Sequence, residues 1–141
     1  MLEQIQQDVT AALKAGDRER TGALRLIANE LQKAAKEGDT DEVAVLQRER
    51  KRRLEAAEAY REASRQDLAD AEEREAAIIE GYMPEQISDE ELRAIVGDAV
   101  AESGASSPKE MGKVMSAVMP QVKGRADGKR VSAVVQELLS P

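Results

Sequence analysis

Apolar residues recur along this chain at helical spacing. Leu2, Ile5, Val9 and Leu13 form one stripe with a period near that of an α-helix, and Gly16-Asp17 marks its end. A second stripe, Leu24, Ile27, Ala28, Leu31 and Ala35, runs to Gly38, and the short link between the two predicts an antiparallel helical pair. Asp39 or Thr40 is placed to cap a third helix, with Glu42 in its first turn. Val43, Leu46, Arg50 and Leu54 follow, and this helix is expected to pass Tyr60 and reach about Ala63 before a break at Ser64-Arg65. A fourth helix carries Leu68 and Ile78-Ile79, but the positions between are mostly Ala and charge, so its packing stripe is poorly defined.

Gly81-Tyr82-Met83-Pro84 interrupts the pattern, because Pro84 cannot continue a helix and restricts Met83 as well. The expected division lies there, giving domains at residues 1–82 and 83–141. Beyond it, Ser88 with Glu91 three later reads as a capping box, with Ile87 and Leu92 as a hydrophobic staple. Leu92, Ile95, Val96, Ala99 and Val100 make the inward face, and Gly104 follows as the stop. Ser107-Pro108-Lys109-Glu110 is a second box with Pro at the first helical position. Met111, Val114, Met115 and Val118 are expected to face inward, with Pro120 ending that helix. Asp127 can cap a last helix bearing Val131, Val134, Val135, Leu138 and Leu139. The expected fold is all-α: an N-terminal helical hairpin or bundle domain, then a three-helix C-terminal domain of roughly 55 residues, near the lower size for independent folding.

Composition agrees with helices and removes whole classes of chemistry. The 141 residues are 41% hydrophobic and 35% charged, with no Phe or Trp and only Tyr60 and Tyr82 as aromatics. With no Cys and no His, disulfides, thiol nucleophiles, Cys-His zinc sites and imidazole bases are all excluded. No catalytic residue, metal or cofactor is assigned: the carboxylates are spread over helices, and Ser107 is already explained as a cap. No apolar run approaches a membrane span, and the polar N-terminal pattern does not read as a signal peptide, so the expected home is the cytoplasm.

Net charge is −7, which argues against a broad nucleic-acid surface and leaves only local patches. Residues 1–82 hold 14 basic and 19 acidic side chains, and residues 83–141 hold 7 and 9. One patch is Arg48, Arg50, Lys51, Arg52 and Arg53. Its plain reading is a solvated helical face with Glu42, Glu49 and Glu55 as ion-pair partners; its sharper reading is phosphate contact. The other is Lys123-Gly124-Arg125-Ala126-Asp127-Gly128-Lys129-Arg130. Lys129 and Arg130 fall in the first turn of the last helix, where the dipole disfavours cations, and anion binding would offset that cost. A Gly-rich connection with solvated cations explains the pattern equally well. Gly124 to Gly128-Lys129 is one residue short of a Walker A loop, and Arg130 stands where Ser or Thr is needed. The Met111, Met115, Met119 stripe reads as core. So few aromatics argue against single-strand reading by base stacking, while contact with RNA shape and backbone stays open.

The run from Gly104 through Met111-Gly112-Lys113-Val114-Met115 to Lys123-Gly124-Arg125-Ala126-Asp127-Gly128, followed by Val131 and Val135, resembles the tail domain of the GatB/YqeY family. Such a tail is carried by the B subunit of the bacterial glutamyl/aspartyl-tRNA amidotransferase. Leu24-Arg25-Leu26-Ile27, Lys51-Arg52-Arg53 and Ile78-Ile79-Glu80-Gly81-Tyr82-Met83-Pro84 are similar to the stand-alone YqeY proteins, so nearly the whole chain is covered.

In the amidotransferase the tail is understood to recognise the tRNA body. Catalysis lies elsewhere: an amidase partner and an ATP-using cradle convert Glu-tRNA(Gln) or Asp-tRNA(Asn) with glutamine as nitrogen donor. The resemblance therefore implies a tRNA-binding or amidotransferase-associated module, related to carbon–nitrogen ligases without being catalytic alone. It points to Lys113, Lys123, Gly124, Arg125, Lys129 and Arg130 as RNA-binding candidates, with tRNA or another structured RNA as partner. The competing expectation is a protein–protein adapter that docks through the acidic N-terminal helices.

Overall fold

A computed structural model describes residues 1–140. Among these the chain is all-helical: α1 (Leu2–Lys14), α2 (Arg18–Lys36), α3 (Glu42–Glu62), α4 (Gln66–Glu80), α5 (Asp89–Ser103), a single 3-10 turn (Pro108–Glu110), α6 (Met111–Val122) and α7 (Gly128–Leu139). The chain forms two compact units, one spanning Met1–Met83 and the other beginning at Pro84.

In the first unit α1 packs on α2, α2 touches both α3 and α4, and α3 pairs with α4. The hydrophobic cluster draws on Ile5 and Ala12, on Leu24, Ile27, Ala28, Leu31 and Ala34, and then on only Val45, Leu46 and Ile79 from the longer pair. Leu13 does not belong to it: it is 58% exposed, and Ala12 holds the inward place. Ile5 to Ala12 is seven residues, close to two helical turns, whereas Leu13 is rotated about 100° further round. In α2 the inward position is Ala34 rather than Ala35. Asp41, not Asp39 or Thr40, caps α3 by accepting the Ala44 N–H at 3.1 Å. Asp39 instead accepts the N–H of Asp41. The break after α3 falls at Ser64, which adopts φ +60°.

The inward stripe of α3 is Val45, Glu49, Arg53 and Ala57, one turn apart, with Leu46 beside it; Leu54 lies outside it. Two charged residues in the middle of a buried stripe explain why the apolar pattern of this segment is faint. α4 answers with small residues, Ala69 and Ala76. Ion pairs from Arg50 to Glu80 (2.6 Å), Arg53 to Glu75 (3.4 Å) and Arg61 to Glu73 cross between the two helices.

In the second unit α5, α6 and α7 all pack on one another. Their core is rich in valine: Val96, Val114, Val118, Val122, Val131 and Val135 are sealed from solvent with Leu92. Met111, Met115 and Met119 pack against its edge. Ser88 caps α5 by accepting the Glu91 N–H, Gly104 closes it at φ +69°, and Glu110 reaches back to the N–H groups of Ser106 (2.6 Å) and Ser107 (3.3 Å). Pro120 does not end α6, which continues to Val122. Pro120 offers no N–H to the Ser116 carbonyl, yet burial of Val122 in the core holds the last turn in place. In α7 Leu138 is 41% exposed, while Leu139 beside it is buried.

Candidate nucleic-acid interface

The turn between α6 and α7 is fixed from both sides. Val122 and Ala126 are completely buried, and the Val122 carbonyl accepts the N–H groups of Arg125 (2.8 Å) and Ala126 (3.2 Å). Gly124 takes φ +78°, a left-handed conformation that glycine adopts without strain. Asp127 then starts α7 by accepting the Arg130 N–H at 2.8 Å. Lys123 and Arg125 are thus carried on a turn closed by backbone hydrogen bonds, and Lys129 and Arg130 on the first turn of α7.

The segment entering α5 is moored to this turn. The Ile87 N–H donates to the Arg125 carbonyl at 2.9 Å, and Gln86 Nε2 donates to the Gly124 carbonyl at 3.2 Å. Arg125 donates in return to the Glu85 carbonyl from Nε and to Glu91 Oε2 from Nη2, both at 3.3 Å. Arg130 Nη2 donates to Asp89 Oδ1 at 2.7 Å. That bond, with the charge behind it, holds the Asp89 carboxyl below the ordinary carboxylate range. Both pairs lie in solvent, where an ion pair contributes about 0–1 kcal/mol.

The remaining candidates differ in placement. Lys123 is exposed at the end of α6, and Gly124 is buried. Lys129 is exposed in the first turn of α7, a turn with no acidic residue. Lys113 sits in the first turn of α6, ten residues before Lys123, which at 1.5 Å per residue is about 15 Å along the axis. It lies close to Glu110 and helps to hold that carboxyl below its ordinary range, after the backbone N–H of Ser106. It is not a neighbour of the turn.

The second basic patch is engaged within its own unit. Arg48 pairs with Asp39 (3.1 Å), Arg50 with Glu80, Lys51 with Glu55 (4.0 Å) and Arg52 with Glu49 (3.0 Å). Arg53 is buried and bonds Glu49 at 2.7 Å. Glu42, expected among the partners of this run, instead accepts the Leu2 N–H at the start of α1. Two shallow depressions of about 260 and 290 Å³ lie on the same unit and share Asp17 and Arg20.

A family model described as "Yqey-like protein" matches residues 2–139. The chain belongs to the Yqey-like family. The match runs through both units, so the family's shared part is more than the three-helix tail. A fungal protein of Pyrenophora tritici-repentis, named "Altered inheritance of mitochondria protein 41, mitochondrial", is 29% identical over 147 residues, covering 99% of this chain and 81% of its own length.

In this Yqey-like chain, sequence reasoning found the cations of the turn and missed their partners, Asp89 and Glu91. A signal for them exists. α5 opens on Asp89-Glu90-Glu91 and α7 opens on Lys129-Arg130, two helix starts of opposite charge in one small domain. Among the described residues no helix is long and apolar enough to cross a membrane.

Proposed function

We propose that this Yqey-like chain is an RNA-binding module that attaches to tRNA, or to another structured RNA, as an accessory of the tRNA-amidation system. It contributes no catalytic group of its own. The observation that carries this reading is the composition of the α6–α7 turn. Lys123, Arg125, Lys129 and Arg130 are gathered on the α6–α7 turn and the first turn of α7 in a chain of net charge −7, and α7 starts with two cations where its dipole disfavours them, of which Arg130 is paired with Asp89. The likeness of this stretch to the amidotransferase tail supports it further. The link to carbon–nitrogen ligases with glutamine as nitrogen donor is then one of assistance: the chain holds RNA, and other subunits carry out amidation. A reducing compartment that contains tRNA suits a chain without cysteine, either the cytoplasm or, as the fungal relative's name suggests, a mitochondrion.

The test is binding of a tRNA transcript to the full chain at low and moderate salt, with and without Ala at Lys123, Arg125, Lys129 and Arg130. Binding that weakens in the variants supports the reading; absence of binding, or indifference to the four changes, rejects it.

A protein adapter is the second reading, favoured by Leu13 and Leu26, which stand 58% and 51% exposed on the net-acidic first unit. A partner that stays bound after nuclease treatment, and is lost on Leu13→Ser with Leu26→Ser, would favour it over RNA.

A further inference from the structure

The two arginines of the turn are already in contact with carboxylates. Glu91 faces Arg125 and Asp89 faces Arg130, from alternate positions of the first turn of α5. Each carboxylate presents to a guanidinium the same kind of charged oxygen that a phosphate diester would. Both pairs are open to solvent: the side chains of Arg125 and Glu91 are 36% and 49% exposed, and those of Arg130 and Asp89 30% and 85%. Exposed pairs of this kind exchange cheaply. The mooring of the turn does not depend on them, because the Ile87 N–H to Arg125 carbonyl bond and the Gln86 to Gly124 bond are independent of both carboxylates. The backbone of the turn is therefore held without either carboxylate, and Arg125 keeps its Nε bond to the Glu85 carbonyl as well.

We propose that Asp89 and Glu91 are built-in occupants of the anion site on the α6–α7 turn, and that a nucleic-acid backbone binds there by displacing both carboxylates from Arg130 and Arg125. The inference rests on the RNA reading and adds its regulation. A single anion meets a site already filled. A chain of phosphates, which engages several cations at once, replaces both carboxylates together and gains the contact of Lys129 in addition. Asp89 and Glu91 thus set a threshold that favours dense polyanions over isolated ones.

Glu90 provides the control. It lies between the two, is exposed, and carries the same charge, with no guanidinium bonded to it among the described residues. The experiment measures tRNA affinity at about 50 mM salt, where phosphate contacts are strong, for the full-length wild type, Asp89→Asn with Glu91→Gln, and Glu90→Gln. Far-ultraviolet circular dichroism of each variant checks that the helices are intact. The paired double variant is expected to bind about ten-fold tighter than wild type, since each exposed pair is worth up to about five-fold, and Glu90→Gln no more than about two-fold tighter. If wild type binds, Ala at the four cations weakens it, and the double variant gains no more per charge removed than Glu90→Gln, the displacement idea is overturned while the RNA reading stands. If no form of the chain binds tRNA, or binding ignores Arg125→Ala with Arg130→Ala, both fall. In the complex, the Asp89 carboxyl followed by carbon-13 NMR is expected to titrate closer to its ordinary range than in the free chain, and an unchanged midpoint would contradict release of Arg130.

Discussion

Glu49 and Arg53 stand one helical turn apart on α3, joined by a 2.7 Å salt bridge, with only 6% and 8% of their surfaces reaching solvent. Arg53 Nη1 also donates to the Glu49 carbonyl at 3.0 Å, and Arg53 Nε approaches Glu75 at 3.4 Å. The pair occupies the central two positions of the stripe that α3 turns inward. A buried charge left without its partner is costly, whereas removing both partners together is not. Arg53→Ala is expected to destabilise the chain by at most about 3–5 kcal/mol, because Glu49 keeps its 3.0 Å bond to Arg52. Glu49→Leu with Arg53→Met should recover most of that loss. Urea unfolding of the three proteins checks it; equal losses in the single and double variants would show that the site needs the charges themselves.

Leu92 and Leu138 separate core from surface in the second unit. Leu92 is fully buried beneath the start of α5, while Leu138 is 41% exposed beside the buried Leu139. Leu92→Ala is expected to cost about 2–5 kcal/mol through lost burial and the cavity left behind. Leu138→Ala should stay within about 0.5 kcal/mol, the ordinary range of surface changes. Comparable losses at the two positions would contradict the assignment of α7's inward face.

Local signals in the sequence were enough for much of this fold, and long-range ones were not. Ser88, Gly104 and Asp127 were legible as helix ends because each acts on backbone groups within a few residues. Pro120 misleads because its effect on the helix is local and the burial of Val122 that overrides it is tertiary. Leu13 and Ala35 each lie one position from the true inward residue, since the period alone does not say which neighbour a helix will meet. Asp89 lies 41 residues from Arg130 and Glu91 34 from Arg125, so no spacing rule links them. The buried charges of α3 are hidden for a different reason: in sequence, Glu49 and Arg53 look like any solvated helical pair.

The Tyr82 hydroxyl donates to Asp8 Oδ2, tying the end of α4 to α1 across 74 residues. The bond holds the Asp8 carboxyl below its ordinary range, with lesser help from Gln4 and Arg20 against the opposing effect of burial. The Tyr82 phenol is pushed up to about 12, first by burial and then by Asp8. A carboxyl lowered in the folded chain adds stability above its unfolded value of about 4, and loses it as pH falls through the folded value. A phenol raised in the folded chain adds stability below about 10 and loses it as pH rises toward 12. Tyr82→Phe is therefore expected to lower Tm in the neutral range, with the gap to wild type narrowing at both extremes. Thermal melts across pH check the gap. Ultraviolet titration in a Tyr60→Phe background reads the phenol of Tyr82 alone, and an ordinary midpoint near 10 would refute the raised value.

Lys129 and Arg130 are neighbours in the first turn of α7, and their unequal pairing gives a salt-dependence prediction. Each cation that neutralises a phosphate releases counterions, so the slope of log affinity against log salt records how many take part. Lys129 is exposed, and no carboxylate bonds it among the described residues. Its contact with phosphate should count in full, and Lys129→Ala should flatten the slope by about 1. Arg130 leaves Asp89 to make its contact, and the freed carboxylate then gathers cations of its own. The net release is smaller, so Arg130→Ala should flatten the slope by distinctly less than Lys129→Ala while still weakening binding. In Asp89→Asn that difference should vanish, because Arg130 no longer has an internal partner to surrender. Titrations of tRNA between about 50 and 200 mM salt measure the slopes of both Ala variants and their parents, with and without Asp89→Asn. Equal slopes for Lys129→Ala and Arg130→Ala in the wild-type background would mean that Asp89 is not in competition for Arg130 when RNA binds.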